Sequence, residues 1–436
     1  MLIFRKVIIM NSFFMIFLLI SISILCVFLG KLISNSILHP IILMLIMWIE
    51  FIFFPLLFWR TRYSWNYTGL IWIMLSILVT EFGALLVNKK MKNIQKIKKY
   101  NRQYDWKILI IVIILGIIAF LIQLGLSGFD LSYFTSIESI INMNTKTAEQ
   151  RYFGEQKTTF ISQILLLFVY LSALCGGYSY NFAKSKKQKM LATIGSFMPE
   201  LGMMFFSNTK AGFIACCILW LAGWCLSYMF LNGRLPKISL KNLFLLFGGL
   251  IALIGILYFV MLLRTGDFST AMRKRIADKL WIYALAQVVN FDYWFSNRNI
   301  ESLQLGLNNF MFIFKDLGLT VRVQGVYTDL ISGYGNIFTA FRGIICDFGV
   351  FGGLIYCFFR GIVTQYCIKR VIIGDIKTSI SGCLIICMYF WNIYGFIISP
   401  WIYNSYIFAI LAFEIFLFFV HKRVYIGKEK IYGRKN

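Results

Sequence analysis

The sequence predicts an all-α, polytopic membrane protein, and three observations lead to that prediction. Of the 436 residues, 59% are hydrophobic and only 14% are charged. The mean hydropathy is +0.76. Apolar runs of about 20 residues, the length of a membrane-spanning helix, recur along the whole chain. A soluble protein cannot bury that much apolar surface, so this class is excluded.

About eleven spans follow from these runs if each one takes about 20 residues. The sixth run is short and contains Pro199 and Glu200, so we expect it to be tilted, broken or re-entrant. A bilayer tolerates such a break only where the backbone is buried in protein or faces a wet cavity. The predicted spans are Val7–Leu29, Ile37–Trp59, Tyr67–Val87, Ile108–Leu126, Thr158–Phe182, Met190–Phe206, Phe213–Phe230, Leu243–Leu263, Ile344–Ile368, Thr378–Ile398 and Asn404–Val420.

The net charge of +25 is explained by basic runs between the spans, so nucleic acid is not a predicted partner. Cytoplasmic loops of membrane proteins are rich in Lys and Arg. If the basic segments are all cytoplasmic, the spans between them alternate without conflict, and the C-terminus is cytoplasmic. With eleven spans the N-terminus is then outside, and Arg5, Lys6, Arg60 and Arg62 face outward against the rule, so the orientation of the first three spans stays open. The basic segments are 89–107, 184–189, 234–241, 369–370 and 422–436.

The same topology predicts one integral membrane domain over 1–436, with outer-face loops at 127–157 and 265–343. The second loop is unusual because loops between elements are normally short. It contains two apolar-periodic pieces, Ala271–Phe295 and Leu303–Leu319. Both are predicted to be short helices at the membrane interface.

Basic side chains on the outer face need an explanation, because the charge rule predicts few of them there. Arginine suits the binding of phosphate, since its planar fork donates two parallel hydrogen bonds. The alternative is that these cations pair with carboxylates such as Asp292 or contact phospholipid headgroups. The candidate phosphate-binding residues are Arg151, Lys210, Arg264, Arg273, Arg275, Arg298, Arg322 and Arg342.

A general base on the outer face would have to be a carboxylate. The two histidines, His39 and His421, both map to predicted cytoplasmic ends of spans. A carboxylate in a partly desolvated site can act as a base because burial raises its pKa. Asp329 and Asp347 are the first candidates, although Asp347 could instead orient an arginine near the start of its span.

The sequence predicts no cofactor and no metal. It lacks a glycine loop with Lys–Ser/Thr for ATP, and it lacks an Asp-x-Asp pair. The ten cysteines lie mostly inside apolar runs, where they fit small buried side chains. The lack of motifs for ATP and for a nucleotide-sugar with its metal favours a substrate already activated on a lipid.

One stretch carries a family resemblance. Tyr334-Gly335-Asn336-Ile337-Phe338-Thr339-Ala340-Phe341-Arg342 is followed by Asp347-Phe348-Gly349 and Gly352-Gly353. It resembles the Gly-Asn-x-aromatic-Thr … Asp-Phe-Gly-x-x-Gly stretch of bacterial oligosaccharide repeat unit polymerases, the O-antigen and capsule polymerases of the Wzy family. Arg151-Tyr152-Phe153-Gly154 resembles an arginine-bearing piece of an outer loop in that family. Lys210 departs from the pattern, because an arginine is expected there.

The resemblance implies glycosyl transfer between undecaprenyl-pyrophosphate-linked oligosaccharides at the outer face of the bacterial cytoplasmic membrane. The arginines would stabilise the pyrophosphate leaving group, and Asp329 or Asp347 would act on the acceptor hydroxyl. A flippase and a chain-length regulator are implied partners, beside the lipid bilayer itself.

Two alternatives remain at this point. A flippase or transporter would use charges inside the membrane, of which Glu81 and Arg360 are examples. An O-antigen ligase has a similar layout, but an outer-face histidine would be expected, and the predicted topology places none there.

Overall fold

The computed structural model describes residues 2–58, 63–90, 104–126, 160–207, 209–298, 302–320, 339–373 and 379–432, with a few positions between 136 and 146. Within these residues every regular element is a helix. In chain order they are α1 (Leu2–Ile33), α2 (Pro40–Phe58), α3 (Thr68–Lys90), α4 (Trp106–Leu126), α5 (Phe160–Leu165), α6 (Leu167–Tyr180), α7 (Lys186–Met190), α8 (Ser196–Ser207), α9 (Lys210–Asn232), α10 (Leu240–Thr265), α11 (Thr270–Asn297), α12 (Met311–Asp316), α13 (Ala340–Ile373), α14 (Ser379–Tyr394) and α15 (Asn404–Tyr432).

Seven helical segments in the described residues are long and apolar enough to cross a membrane. They are Ser12–Ile33, Pro40–Phe58, Thr68–Asn88, Trp106–Leu126, Lys186–Ser207, Lys210–Asn232 and Ala340–Ile373. Three shorter apolar segments, Ile251–Leu263, Ile380–Tyr394 and Asn404–Val420, also match predicted spans. The chain is therefore a helical membrane protein, as predicted, whereas the number of eleven spans stays a prediction.

The sixth predicted span contains a local distortion and no chain reversal. Ser185 begins it with a capping box, in which the Ser185 hydroxyl accepts from Gln188 N at 3.2 Å. A π-helical turn at Leu191–Gly195 then joins α7 to α8. A π-turn disturbs the regular hydrogen bonds of a helix. Here Trp220 Nε1 donates to the carbonyl oxygen of Ala192 at 2.8 Å, so a neighbouring helix supplies a donor at the turn.

The two predicted interfacial helices have different outcomes. The first is confirmed as a helix, because α11 covers nearly the same residues. The second is wrong as a single helix, since the segment contains only the six-residue α12. Positive φ angles at Leu305 (48°) and Gly306 (104°) prevent a helix there, and their backbone conformation belongs to turns.

The chain forms two compact units, each made of separate stretches of sequence. Unit 1 comprises residues 1–94, 279–369 and 391–403. Unit 2 comprises residues 95–278, 370–390 and 404–436. In unit 2, α6 is the central helix and contacts α4, α9 and α15. Gly177 lets α6 and α9 approach closely, because a Cβ at Gly177 would overlap the carbonyl oxygen of Trp220.

In unit 1, α3 and α13 pack backbone to backbone. A Cβ at Gly361 would overlap the carbonyl oxygen of Thr80, and one at Gly83 would overlap that of Phe358. Small residues allow this close approach between membrane helices. The contacts pair later α3 positions with earlier α13 positions, so the helices are antiparallel.

A chain of hydrogen bonds ties α1, α2, α3 and α13 together in unit 1. Asn88 Nδ2 donates to the carbonyl oxygen of Ile33 at 3.1 Å, so Asn88 Oδ1 is free to accept from Gln365 Nε2 at 2.6 Å. Gln365 Oε1 must then accept from His39 Nε2, at 2.8 Å. His39 Nδ1 is left as the acceptor for Ile41 N at 3.3 Å. The network thereby fixes the tautomer of His39.

Candidate functional site

Helix α13 is broken at Gly349, inside the stretch that carries the family resemblance. Gly349 has φ 73° and ψ 177°, a backbone conformation that is essentially restricted to glycine. Carbonyl groups beside a helix break need donors from outside the helix. Those of Cys346 and Asp347 accept from the backbone N–H groups of Gln304 and Leu305, each at 3.1 Å. The break therefore holds the segment that precedes α12.

The side chain of Asp347 holds the same segment. Its Oδ1 accepts from Asn308 N at 3.0 Å and from Asn308 Nδ2 at 2.8 Å. Its Oδ2 accepts from the N and Nδ2 atoms of Asn309, both at 2.8 Å. Ser399 Oγ donates to the carbonyl oxygen of Asn309 at 3.1 Å. Because a carboxylate offers about four acceptor positions, these hydrogen bonds occupy the Asp347 carboxylate fully.

Arg342 lies buried in the first turn of α13, with 6% of its surface exposed. Its guanidinium carbon is 5.0 Å from the ring centroid of Trp294 on α11, within range of a cation–π interaction. The neighbouring Phe341 packs against Trp48 and Trp391, with ring centroids 5.0 Å and 5.6 Å away. These aromatic contacts fix the start of α13 and place a cation in a desolvated position.

Arg298 follows directly after α11. Its guanidinium carbon is 3.9 Å from the ring centroid of Phe295, and its Nη1 donates to the Phe295 carbonyl oxygen. Burial lowers the pKa of Arg298. A basic side chain that donates to the last carbonyl groups stabilises the end of a helix. Arg298 and Arg342 therefore contact the rings of consecutive residues near the end of α11.

Asp292 caps the start of α3 from within α11. Its Oδ2 accepts from the backbone N–H groups of Asn66 and Tyr67, and its Oδ1 accepts from Gly69 N, all at 2.9 Å. Burial raises the pKa of Asp292, and these N–H groups act in the opposite direction. The sequence suggested Asp292 only as a partner for an arginine. It is instead a helix cap supplied by a distant part of the chain.

The predicted site residues fall into three groups. Arg151, Arg322 and Asp329 lie outside the described residues. Arg298, Arg342 and Asp347 belong to unit 1, where they lie around the end of α11 and the start of α13. Lys210, Arg264, Arg273 and Arg275 belong to unit 2.

Within unit 2, Arg273 and Arg275 are exposed in the first turns of α11. Lys210 is half-buried and begins α9. The preceding Thr209 donates its hydroxyl to Glu200 Oε1 at 3.0 Å. Arg264 lies in α10, and its side chain is not among those that the structure describes.

The sequence did not single out the residues that hold the site in unit 1. Trp294 is one of many aromatic residues in the predicted loop 265–343, and such a composition is also typical of an interfacial belt. Asn308 and Asn309 form an amide pair after Leu307, and no sequence pattern marks them as functional. In the described part of the chain, no cluster of three or more His, Cys, Asp or Glu side chains could hold a metal ion.

The fold and the site define a helical membrane protein with a buried arginine at the start of a broken helix. Comparison of the chain with protein-family models, curated proteins and solved structures found no match. The functional assignment therefore depends on the resemblance of the 334–353 stretch and on the chemistry of these side chains.

Proposed function

We propose that the protein is a glycosyltransferase that polymerises undecaprenyl-pyrophosphate-linked oligosaccharide repeat units on the outer face of the bacterial cytoplasmic membrane. The observation that supports this most directly is the buried position of Arg342, over Trp294 and at the end of the stretch that resembles the polymerase family. A desolvated cation interacts with a pyrophosphate more strongly than an exposed one.

In this proposal, Arg342 stabilises the negative charge that develops on the pyrophosphate as the sugar is transferred. Removing one positioned donor of this kind typically costs about 10²- to 10³-fold in rate. Arg298, which rests on the adjacent ring of α11, is the second cation of the site. The outer-face location and the eleven-span topology belong to the same proposal.

Asp347 takes a positioning role in the proposed mechanism. Its carboxylate already accepts four hydrogen bonds from Asn308 and Asn309, so it holds the segment before α12 against α13. A base needs a lone pair directed at the substrate hydroxyl. Asp329 remains the predicted base for the acceptor.

A flippase or transporter of the same lipid-linked sugars is the second candidate. It is favoured by one observation, the buried Arg360 in the later part of α13. Charged side chains inside a membrane often mark a substrate pathway.

Arg342→Gln separates these functions in cells. We expect the variant to lose long-chain polysaccharide and to keep single-repeat glycan on the cell surface, as resolved on a gel. Arg234→Gln is the control, because Arg234 is exposed and predicted to be cytoplasmic. Loss of all surface glycan in R342Q would indicate a flippase or a ligase. A full-length ladder at normal protein levels would show that Arg342 has no role in polymerisation.

A further inference from the structure

Arg360 is a buried cation within the membrane-embedded part of unit 1. Only 5% of its surface is exposed. Its Nη2 donates to the thioether sulfur of Met44 at 3.1 Å, and its guanidinium carbon lies 3.6 Å from the ring centroid of Trp391. Among the described residues, Nε and Nη1 of Arg360 have no hydrogen-bond partner.

These contacts leave most of the cost of burying the charge uncompensated. A thioether is a weak acceptor, and a cation–π contact offsets only part of the desolvation of a guanidinium. Buried charges in proteins are normally paired. Arg360 therefore has unused capacity to bind an anion.

The carboxylate at the same level of the bundle does not supply that anion. Because Thr80 lies against Gly361, Glu81 and Arg360 occupy corresponding levels of two antiparallel helices. Glu81 extends toward α1, where its Oε1 is 3.4 Å from the position that a Cβ of Gly30 would take. No hydrogen bond joins Glu81 to Arg360.

Trp391 adds a second unused donor at this place. Only 2% of Trp391 is exposed, and its Nε1 has no hydrogen-bond partner in the described part of the chain. The indole N–H can only donate. An oxyanion beside the stacked pair would satisfy both the guanidinium and the indole N–H.

We propose that Arg360 and Trp391 form an anion-binding site in the membrane-embedded core of unit 1, and that its ligand is a phosphate oxyanion. Arginine suits a phosphate oxyanion because its planar fork of N–H donors matches the geometry of phosphate. The site is separate from the one at Arg342, whose guanidinium contacts Trp294. It does not depend on the proposed glycosyl transfer.

The phosphate could be free or carried on a lipid, and the experiment has one arm for each source. The full chain is purified in a phosphate-free maltoside detergent, with R342Q as the parent so that the other proposed site lacks its buried cation. One arm titrates inorganic pyrophosphate, and the other titrates a short-chain prenyl phosphate. The dissociation constant is measured calorimetrically, and the rise in Tm at saturation is recorded, because a ligand of the folded state stabilises it.

We expect the parent to bind and Arg360→Gln to lose both the heat of binding and the rise in Tm. Arg360→Lys keeps the charge and should bind about tenfold more weakly, as expected for the loss of a charged hydrogen bond. Trp391→Phe keeps the ring and removes the N–H, and we expect a similar loss. Trp281→Phe is the control, because Trp281 is 49% exposed in the same unit.

Binding of both ligands would show that a free phosphate oxyanion is sufficient for binding at the site. Binding of the prenyl phosphate alone would show that the site requires a phosphate carried on a lipid. Unchanged affinity in W391F and R360K, or no binding by the parent in either arm, would overturn the site. W391F and R360K keep the test decisive if R360Q does not fold. Failure here leaves the polysaccharide phenotype of R342Q unaffected, so the two proposals are tested separately.

Discussion

Asp347 Oδ2 accepts hydrogen bonds from both the backbone nitrogen and the side-chain amide of Asn309, each at 2.8 Å. This pairing joins the segment before α12 to helix α13. Both belong to unit 1, and residues 321–338 between them lie outside the described residues. It also identifies what the aspartate of the Asp-Phe-Gly stretch does in the folded chain.

Asp347→Asn tests whether this aspartate positions a segment or abstracts a proton. The asparagine would place an N–H₂ group against donors that now face a carboxylate. Each buried group left unpaired costs about 1–3 kcal/mol, so we expect a clearly lower Tm in the purified protein. Asn297→Ala is the control, because Asn297 is exposed. Loss of polymerisation with an unchanged Tm would instead support a role as base.

Gly349→Ala tests the break in α13. An alanine at φ 73° and ψ 177° is strained by about 1–3 kcal/mol, and the Tm should fall accordingly. Gly255→Ala is the matched control, since Gly255 is helical in α10 and a Cβ there meets nothing within 4 Å. That variant should be neutral or slightly stabilising. Equal Tm values for the two variants would contradict the strained conformation.

Asp292→Asn tests the cap on α3. Asparagine has one acceptor oxygen, whereas both carboxylate oxygens of Asp292 are used, so at least one backbone N–H would lose its partner. We expect a loss of about 1–3 kcal/mol, measured as a shift of the unfolding transition. Asp278→Asn, an exposed position on the same helix, is the comparison. If the cap contributed nothing to stability, both variants would unfold at the same point.

Gln365→Leu tests the hydrogen-bond chain between the helices of unit 1. The leucine would leave His39 Nε2 and Asn88 Oδ1 without their present partners. Limited proteolysis of the membrane-embedded protein should become faster, together with a lower Tm. Thr364→Val is the control, because the Thr364 hydroxyl donates only within its own helix, to the carbonyl oxygen of Arg360. Similar effects of Q365L and T364V would indicate that the network contributes little.

In the candidate site, the sequence identifies single residues but not the side chains that they contact. Arg342 was identified because an arginine on the predicted outer face is unusual and lies in a recognisable stretch. Trp294, which it contacts, could not be separated from an interfacial belt by composition. Asp347 was selected as a carboxylate, but its occupation by Asn308 and Asn309 depends on residues about forty positions earlier in the chain.

The sequence by itself determined that this is a helical membrane protein, and it located the apolar runs that match the apolar helices. Apolar runs of span length are a local property, and a bilayer requires each backbone polar group to be satisfied within its own helix. The capping box at Ser185 is local in the same way. Only the tertiary structure decided that Asp292 caps α3, that Gly349 opens α13 to the segment before α12, and that Arg360 stacks on Trp391. Each of these is a contact between distant residues, and its energy depends on burial and geometry that no local pattern specifies.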